Sequence, residues 1–199
     1  MKTKRTISLL LITLLILMAA GCNADDTPHP EDALTNFIKA LNDLDYESAG
    51  ALLGDVTFYD YITEIEQDSS LSIYEKKDAR LFTQTAFKNI SVTVRSVEEA
   101  ENDSYRIECT IIAFSTSDMN DYFAKALAEV ISTEEYRSSD ELNKYIILVE
   151  SLDDIYSSMA KELIPVATDV TVRACRKPDG SFYILPTVQL MSALAGGEN

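Results

Sequence analysis

One stretch of this sequence sets a carboxylate between two phenols: Phe58-Tyr59-Asp60-Tyr61. Tyr59, Asp60 and Tyr61 together supply a proton acceptor and two hydroxyl donors. Acid–base work there requires Asp60 to be buried deeply enough to lift its pKa. The plainer reading is a pair of core aromatics beside a surface acid. Glu98, Glu99, Glu101 and Asp103 offer oxygen ligands of the kind Ca²⁺ takes. They lack the order of a calcium-binding loop and read as a solvated acidic turn. His29 is the sole histidine, so any serine or cysteine triad would have to pass through it. It sits in Thr27-Pro28-His29-Pro30, ahead of the first helical pattern, and reads as a linker residue or a helix cap. Histidine-rich zinc sites are excluded by the same count. The sequence therefore assigns no catalytic residue, no metal site and no cofactor.

Cys109 and Cys175 could form a disulfide in an exported protein. Strand alternation argues against it. Cys109 shares a face with Tyr105, Ile107 and Ile111, whereas Cys175 shares one with Thr171 and Arg173, opposite Val170 and Val172. One points inward and the other outward, and a bridge needs both on one face.

Charge narrows the partners. The 199 residues hold 17 Lys and Arg against 33 Asp and Glu, a formal charge of −16. Polyphosphate partners are repelled by such a chain, and no basic patch offsets this. Nucleic acid is disfavoured as a partner, and an anionic membrane surface could be approached only through a covalent anchor. A content of 46% hydrophobic residues is globular, and the length favours one domain.

The N-terminus offers that anchor. Lys2, Lys4 and Arg5 precede an apolar run over 7–18, and Ala19-Ala20-Gly21-Cys22 follows. A basic start, a short apolar core and small residues mark an export signal over 1–21. The fifteen residues 7–21 fall short of the about 20 that a spanning helix needs. Ala19-Ala20-Gly21-Cys22 resembles the lipobox of bacterial lipoproteins, with Ala19 where the pattern more often has leucine. The resemblance implies cleavage between Gly21 and Cys22 and a diacylglyceryl group, with palmitate-type chains, on the Cys22 thiol. Ordinary signal cleavage with a free Cys22 is the alternative. Anchoring places the chain at the cell membrane, facing the extracytoplasmic side.

Residues 22–29 read as a polar tether. Pro30 opens a helix carrying Leu34, Phe37, Ile38, Leu41 and Leu44. Asp45 caps a second helix over 46–53, which Gly54 stops. The segment 56–65 is ambiguous between strand and helix. Ser72 and Glu75 form a capping box for a helix through about residue 89, anchored by Leu81, Phe82 and Phe87. Strands follow over 91–97 and 105–115, with the acidic turn over 98–103 between them. Ser117 or Asp118 caps a helix carrying Tyr122, Phe123, Leu127, Val130 and Ile131. Ser138 and Glu141 offer another capping box, opening a long helix to about residue 164, where Pro165 ends it. Leu142, Val149, Tyr156 and Leu163 recur there every seven residues, as do Tyr145, Leu152 and Met159. That seam suits internal pairing with the helix over 118–131, or a dimer or partner groove. A hairpin follows, with strands over 169–177 and 181–185 joined at Pro178-Asp179-Gly180, and then a helix over 188–195.

The stretch 31–49, with its Asp45-Tyr46 break and Ala49, resembles the opening of nuclear transport factor 2-like domains. The hairpin around Asp179, Gly180, Ser181 and Phe182 is similar to their last one. With the lipobox, the chain resembles small lipoproteins of unknown function that carry such a domain, mostly in Gram-positive bacteria. The resemblance implies an α+β fold over 30–195: N-terminal helices on a curved antiparallel sheet forming a cone around an apolar cavity. The helical pair over 117–164 reads as an insertion. Some relatives of that fold are isomerases or dehydratases that use a pocket carboxylate with tyrosine donors; Tyr59, Asp60 and Tyr61 have those residue types, but their spacing matches no motif of that family. The expected function is a lipid-anchored, non-catalytic binding domain for an unknown small ligand or surface protein. The alternatives are such an enzyme, or an inhibitor or sensor subunit acting through the inserted helices.

Overall fold

The computed structural model describes residues 28–54 and 64–197. Helix α1 (Pro30–Asn42) starts with proline in its first turn, and Asp32 Oδ2 accepts the His29 backbone N–H at 3.2 Å. His29 is thus the exposed residue preceding the helix. Leu34, Phe37, Ile38 and Leu41 form one buried stripe. The helix ends in a double turn. Asp45 N–H donates to Ala40 O at 2.8 Å and Leu44 N–H to Leu41 O at 3.0 Å, with Leu44 at φ 59°. Glycine usually holds that left-handed position. Asp45 then accepts Ser48 N–H at 3.1 Å and caps α2 (Tyr46–Leu52). Gly54, at φ 64°, lies against the ring of Tyr183. The ambiguous segment 56–65 lies largely outside the described residues.

The Ser72–Glu75 capping box is reciprocal, and α3 (Ile73–Lys88) follows it. Strands β1 (Ser91–Ala100), β2 (Ser104–Ala113), β3 (Val166–Arg176) and β4 (Phe182–Ile184) make an open antiparallel sheet in the order β1-β2-β3-β4. The acidic turn is tighter than 98–103. β1 runs on to Ala100, and Asn102 and Asp103 take positive φ, which their short polar side chains tolerate. A register shift between Val94 and Ser96 places an extra residue, Arg95, in β1. It lets Val92, Val94 and Val97 all pack against the core despite their uneven spacing.

β2 pairs with β3 from Ser104↔Cys175 to Ala113↔Val166, yet the chain between them is a helical excursion. It holds α4 (Thr116–Ser132), α5 (Glu134–Ser138) and α6 (Glu141–Glu162). These helices match the expected helical pair over 117–164 in place, but their start differs. Ser115 caps α4, accepting Asp118 N–H at 3.1 Å, because the strand stops at Ala113 rather than 115. The Thr116 N–H reaches across to Ala195 O at 3.1 Å, tying α4 to the end of α7 (Val188–Leu194). Asp140, not Ser138, caps α6, which ends at Glu162 with Leu163 in extended geometry.

Two hydrophobic clusters result. In the first, α1, α2 and α7 cover the inner sheet face of Ile107, Cys109, Ile111, Val170, Val172, Ala174 and Ile184. In the second, Phe114, Met119, Leu152, Tyr156 and Met159 are enclosed by Tyr74, Leu81, Phe82, Tyr122 and Phe123. Helix α3 thus joins α4 and α6 as a third member instead of lying on the sheet. It runs parallel to α6. Tyr74 N–H donates to Tyr145 Oη at 3.2 Å, and the Lys77 ammonium donates to Val149 O at 2.7 Å and pairs with Asp153 at 2.5 Å.

The heptad seam is divided between its two expected uses. Leu152, Tyr156 and Met159 are buried internally, whereas Leu142 and Tyr145 are exposed. Cys109 is buried, Cys175 is half-buried, and both are free thiols, as alternation predicts.

Candidate functional site

Cys22, Gly21, Tyr59, Asp60 and Tyr61 lie outside the described residues. Glu98, Glu99, Glu101 and Asp103 stand at the β1–β2 turn. Among the described residues, no cluster of His, Cys, Asp or Glu side chains is placed to hold a metal ion.

The described residues do form an aspartate–tyrosine pair elsewhere. Asp78 lies on the first half of α3, and Tyr156 on the second half of α6. The Tyr156 hydroxyl donates to Asp78 Oδ1 at 2.6 Å. Tyr156 is 4% exposed and its ring stacks on Phe123 with centroids 5.6 Å apart. Burial and the Asp78 carboxylate push the Tyr156 phenol well above its ordinary range. Burial also raises Asp78, against the lowering effect of the Tyr156 hydrogen bond. A carboxylate gains about 1.5–3 kcal/mol from such a charge-assisted bond, so breaking it would strand a poorly solvated charge.

Asp78 opens onto a groove of about 460 Å³. Its walls include Ile65, Phe82 and Phe87 from the α3 side, Asn120 from α4, and Met191 and Leu194 from α7. The four-residue spacing of Asp78, Phe82 and Ala86 puts them on one helical face. The groove therefore lies where the helical trio meets the sheet half, outside both hydrophobic clusters' centres. Its size falls within the ~300–1,000 Å³ typical of small-molecule sites, and its lining is mainly apolar with a few polar groups. A smaller recess of about 100 Å³, lined by Leu44, Tyr46, Lys76 and Arg80, continues it past Ile65 and Ala79.

A larger groove of about 550 Å³ lies where the polar side of the sheet meets α7. Its carboxylate Asp169 already accepts from Thr110 Oγ1 at 2.6 Å and from Arg95 at 2.9 Å. Those bonds hold Asp169 below the usual carboxylate range. This is a satisfied, solvated sheet surface, and the α3–α4–α7 groove is the better candidate site. Sequence analysis missed it because Asp78 and Tyr156 lie 78 residues apart. The only local trace was an acid one turn before Phe82 on an apolar helix face.

No described helix is long and apolar enough to cross a membrane. No family model and no curated protein matches the chain. A crystal structure of ycdA from Bacillus subtilis, provisionally named a lipoprotein, is similar at 15% identity with a TM-score of 0.49. The match covers 83% of this chain and 57% of that one, so the chain spans little more than half the length of that protein.

Proposed function

We propose that this chain is a lipid-anchored lipoprotein on the extracytoplasmic face of the cell membrane, whose α+β domain binds a small ligand without catalysis. The observation that carries the binding function is the α3–α4–α7 groove, mainly apolar and carrying one half-buried carboxylate. The anchor rests on the basic, apolar and small-residue order that ends at Cys22. Acyl chains there would hold the membrane through about 0.8 kcal/mol per buried CH₂. A non-catalytic role is supported by the state of Asp78: the phenol that binds it is buried beneath the groove and is not among its described lining residues. A nuclear transport factor 2-like origin for α1, α2 and the sheet belongs to this reading, supported by the 31–49 pattern and the terminal hairpin. The helices α4 to α6 are then the insertion.

Two experiments test it. Growth with a labelled fatty acid labels the protein, and Cys22→Ser abolishes that label; label surviving the substitution refutes the anchor. A native mass spectrum of protein isolated from its own cells carries a small adduct that denaturation releases. Ala86→Phe, which fills the groove, removes the adduct; an adduct unchanged in that variant places it elsewhere.

A second reading, a sensor or inhibitor acting through the helices, is favoured by the distal seam. Ile73 and Leu142 are 70% and 69% exposed there, with Tyr145 and Ile146 beside them. Under it, Leu142→Glu disrupts a membrane-associated complex and leaves the groove adduct in place.

A further inference from the structure

The charge arrangement within the groove specifies the ligand further, and this step rests on the binding function proposed above. Among the described residues lining the groove, Asp78 is the charged one. Its side chain makes one hydrogen bond to the described residues, from Tyr156 to Oδ1. The adjacent cation, Lys77, is committed to α6 through Asp153 and the Val149 carbonyl. Lys76 and Arg80 line the neighbouring recess rather than this groove, and Lys76 donates to Glu66 O at 3.2 Å. Asp78 is consequently a half-buried acid with no cation paired to it among the described residues. Its pKa shift has the same cause, since burial outweighs the hydrogen bond and no positive neighbour contributes.

We propose that the groove binds a small organic cation, with an ammonium group at Asp78 and an apolar, ring-sized body along Phe82, Phe87, Met191 and Leu194. A partly desolvated carboxylate gains more from an ammonium than a fully hydrated one does, because part of its hydration has already been lost. The apolar walls supply the rest through area removed from water. The rings of Phe82 and Phe87 are also compatible neighbours for a cation.

The acidity of the whole chain attracts any cation weakly, so the test must isolate one carboxylate among 33 acidic residues. The full chain is carried in nanodiscs of zwitterionic lipid, with empty nanodiscs as the blank. Naphthylmethylamine, a cation at neutral pH, and naphthylmethanol, its neutral isostere, are titrated calorimetrically. The amine binds the native protein about tenfold more tightly than the alcohol, the size of one charge-assisted contact. In Asp78→Asn the amine falls to the level of the alcohol, whose own affinity is unchanged. Equal binding of the two probes to the native protein overturns the charge assignment while leaving the binding function standing. A preference for the amine that survives in Asp78→Asn likewise overturns it, tracing the attraction to the general surface charge. Failure of both probes to bind overturns the inference together with the binding function. Ala86→Phe serves as the second variant, blocking both probes equally without touching the carboxylate.

Discussion

Substituting the same residue type at two places on α6 separates a buried seam from an exposed one. Leu152 is completely buried between α3 and α4, whereas Leu142, ten residues earlier, is 69% exposed. Leu152→Ala removes three carbons from a closed cluster that contains Met119, Tyr156 and Met159. The lost transfer energy and the remaining cavity together cost about 3 kcal/mol, within a range of ~2–5. For a chain of this size that lowers Tm by about 6–12 °C. Leu142→Ala removes the same atoms from water-exposed helix surface, and alanine is the better helix former, so its effect stays within about 0.5 kcal/mol. Urea and thermal unfolding followed by far-ultraviolet circular dichroism measure both. Equal costs for the two substitutions, or a cost below about 1 kcal/mol at Leu152, would mean that α6 does not pack on α3 and α4 in solution.

Three further outcomes follow from particular contacts. Asp78 carries a folded-state pKa raised by burial above its ordinary 3.8, so the unfolded chain releases that proton first as pH rises. Stability contributed by Asp78 is complete below that ordinary value and is lost as pH rises toward the raised one. Asp78→Asn therefore flattens the decline, and urea midpoints measured in steps from below the ordinary aspartate value up to neutral pH report it; parallel profiles for the two proteins contradict it. Burial pushes the Cys109 thiol up to about 11, while Cys175 is half-buried, so iodoacetamide near neutral pH modifies Cys175 first and Cys109 only on unfolding. Peptide mass spectrometry reads the order, and simultaneous modification would contradict the buried strand face. Gly196→Ala places a Cβ against the Ser115 backbone at φ 83°, beside the cap of α4. It costs more than about 1 kcal/mol, because neither the left-handed backbone nor a main-chain neighbour can yield cheaply. A thermal midpoint unchanged from the native protein counts against that contact.

Much of the local structure was legible in the residues. Ser72 with Glu75, and Asp45 ahead of Tyr46, each satisfied their helix N–H groups as the pattern required. The alternation around Cys109 and Cys175 puts them on opposite faces of the sheet. These are local consequences, fixed by backbone hydrogen-bonding needs and side-chain period within a few residues. Cap placement failed where a strand ended early. Ser115 reads as the last residue of a β-branched run, and the end of α7 claims its neighbour through the Thr116 N–H.

The sequence by itself determined the composition class, the acidic net charge, the lipobox-like N-terminus and most of the helices and strands. Only the tertiary structure decided that α3 leaves the sheet to join α4 and α6, that the heptad seam is buried over half its length, and that Asp78 meets Tyr156. Each of these depends on partners distant along the chain. A seven-residue repeat or a buried-looking acid specifies a surface that needs covering, and does not specify what covers it. Packing decides that, because the same apolar stripe on α6 gains similar transfer energy against α3, α4 or another molecule. Which contact forms depends on where β2 and β3, held in register over ten residue pairs, deliver the two ends of the helical excursion between them.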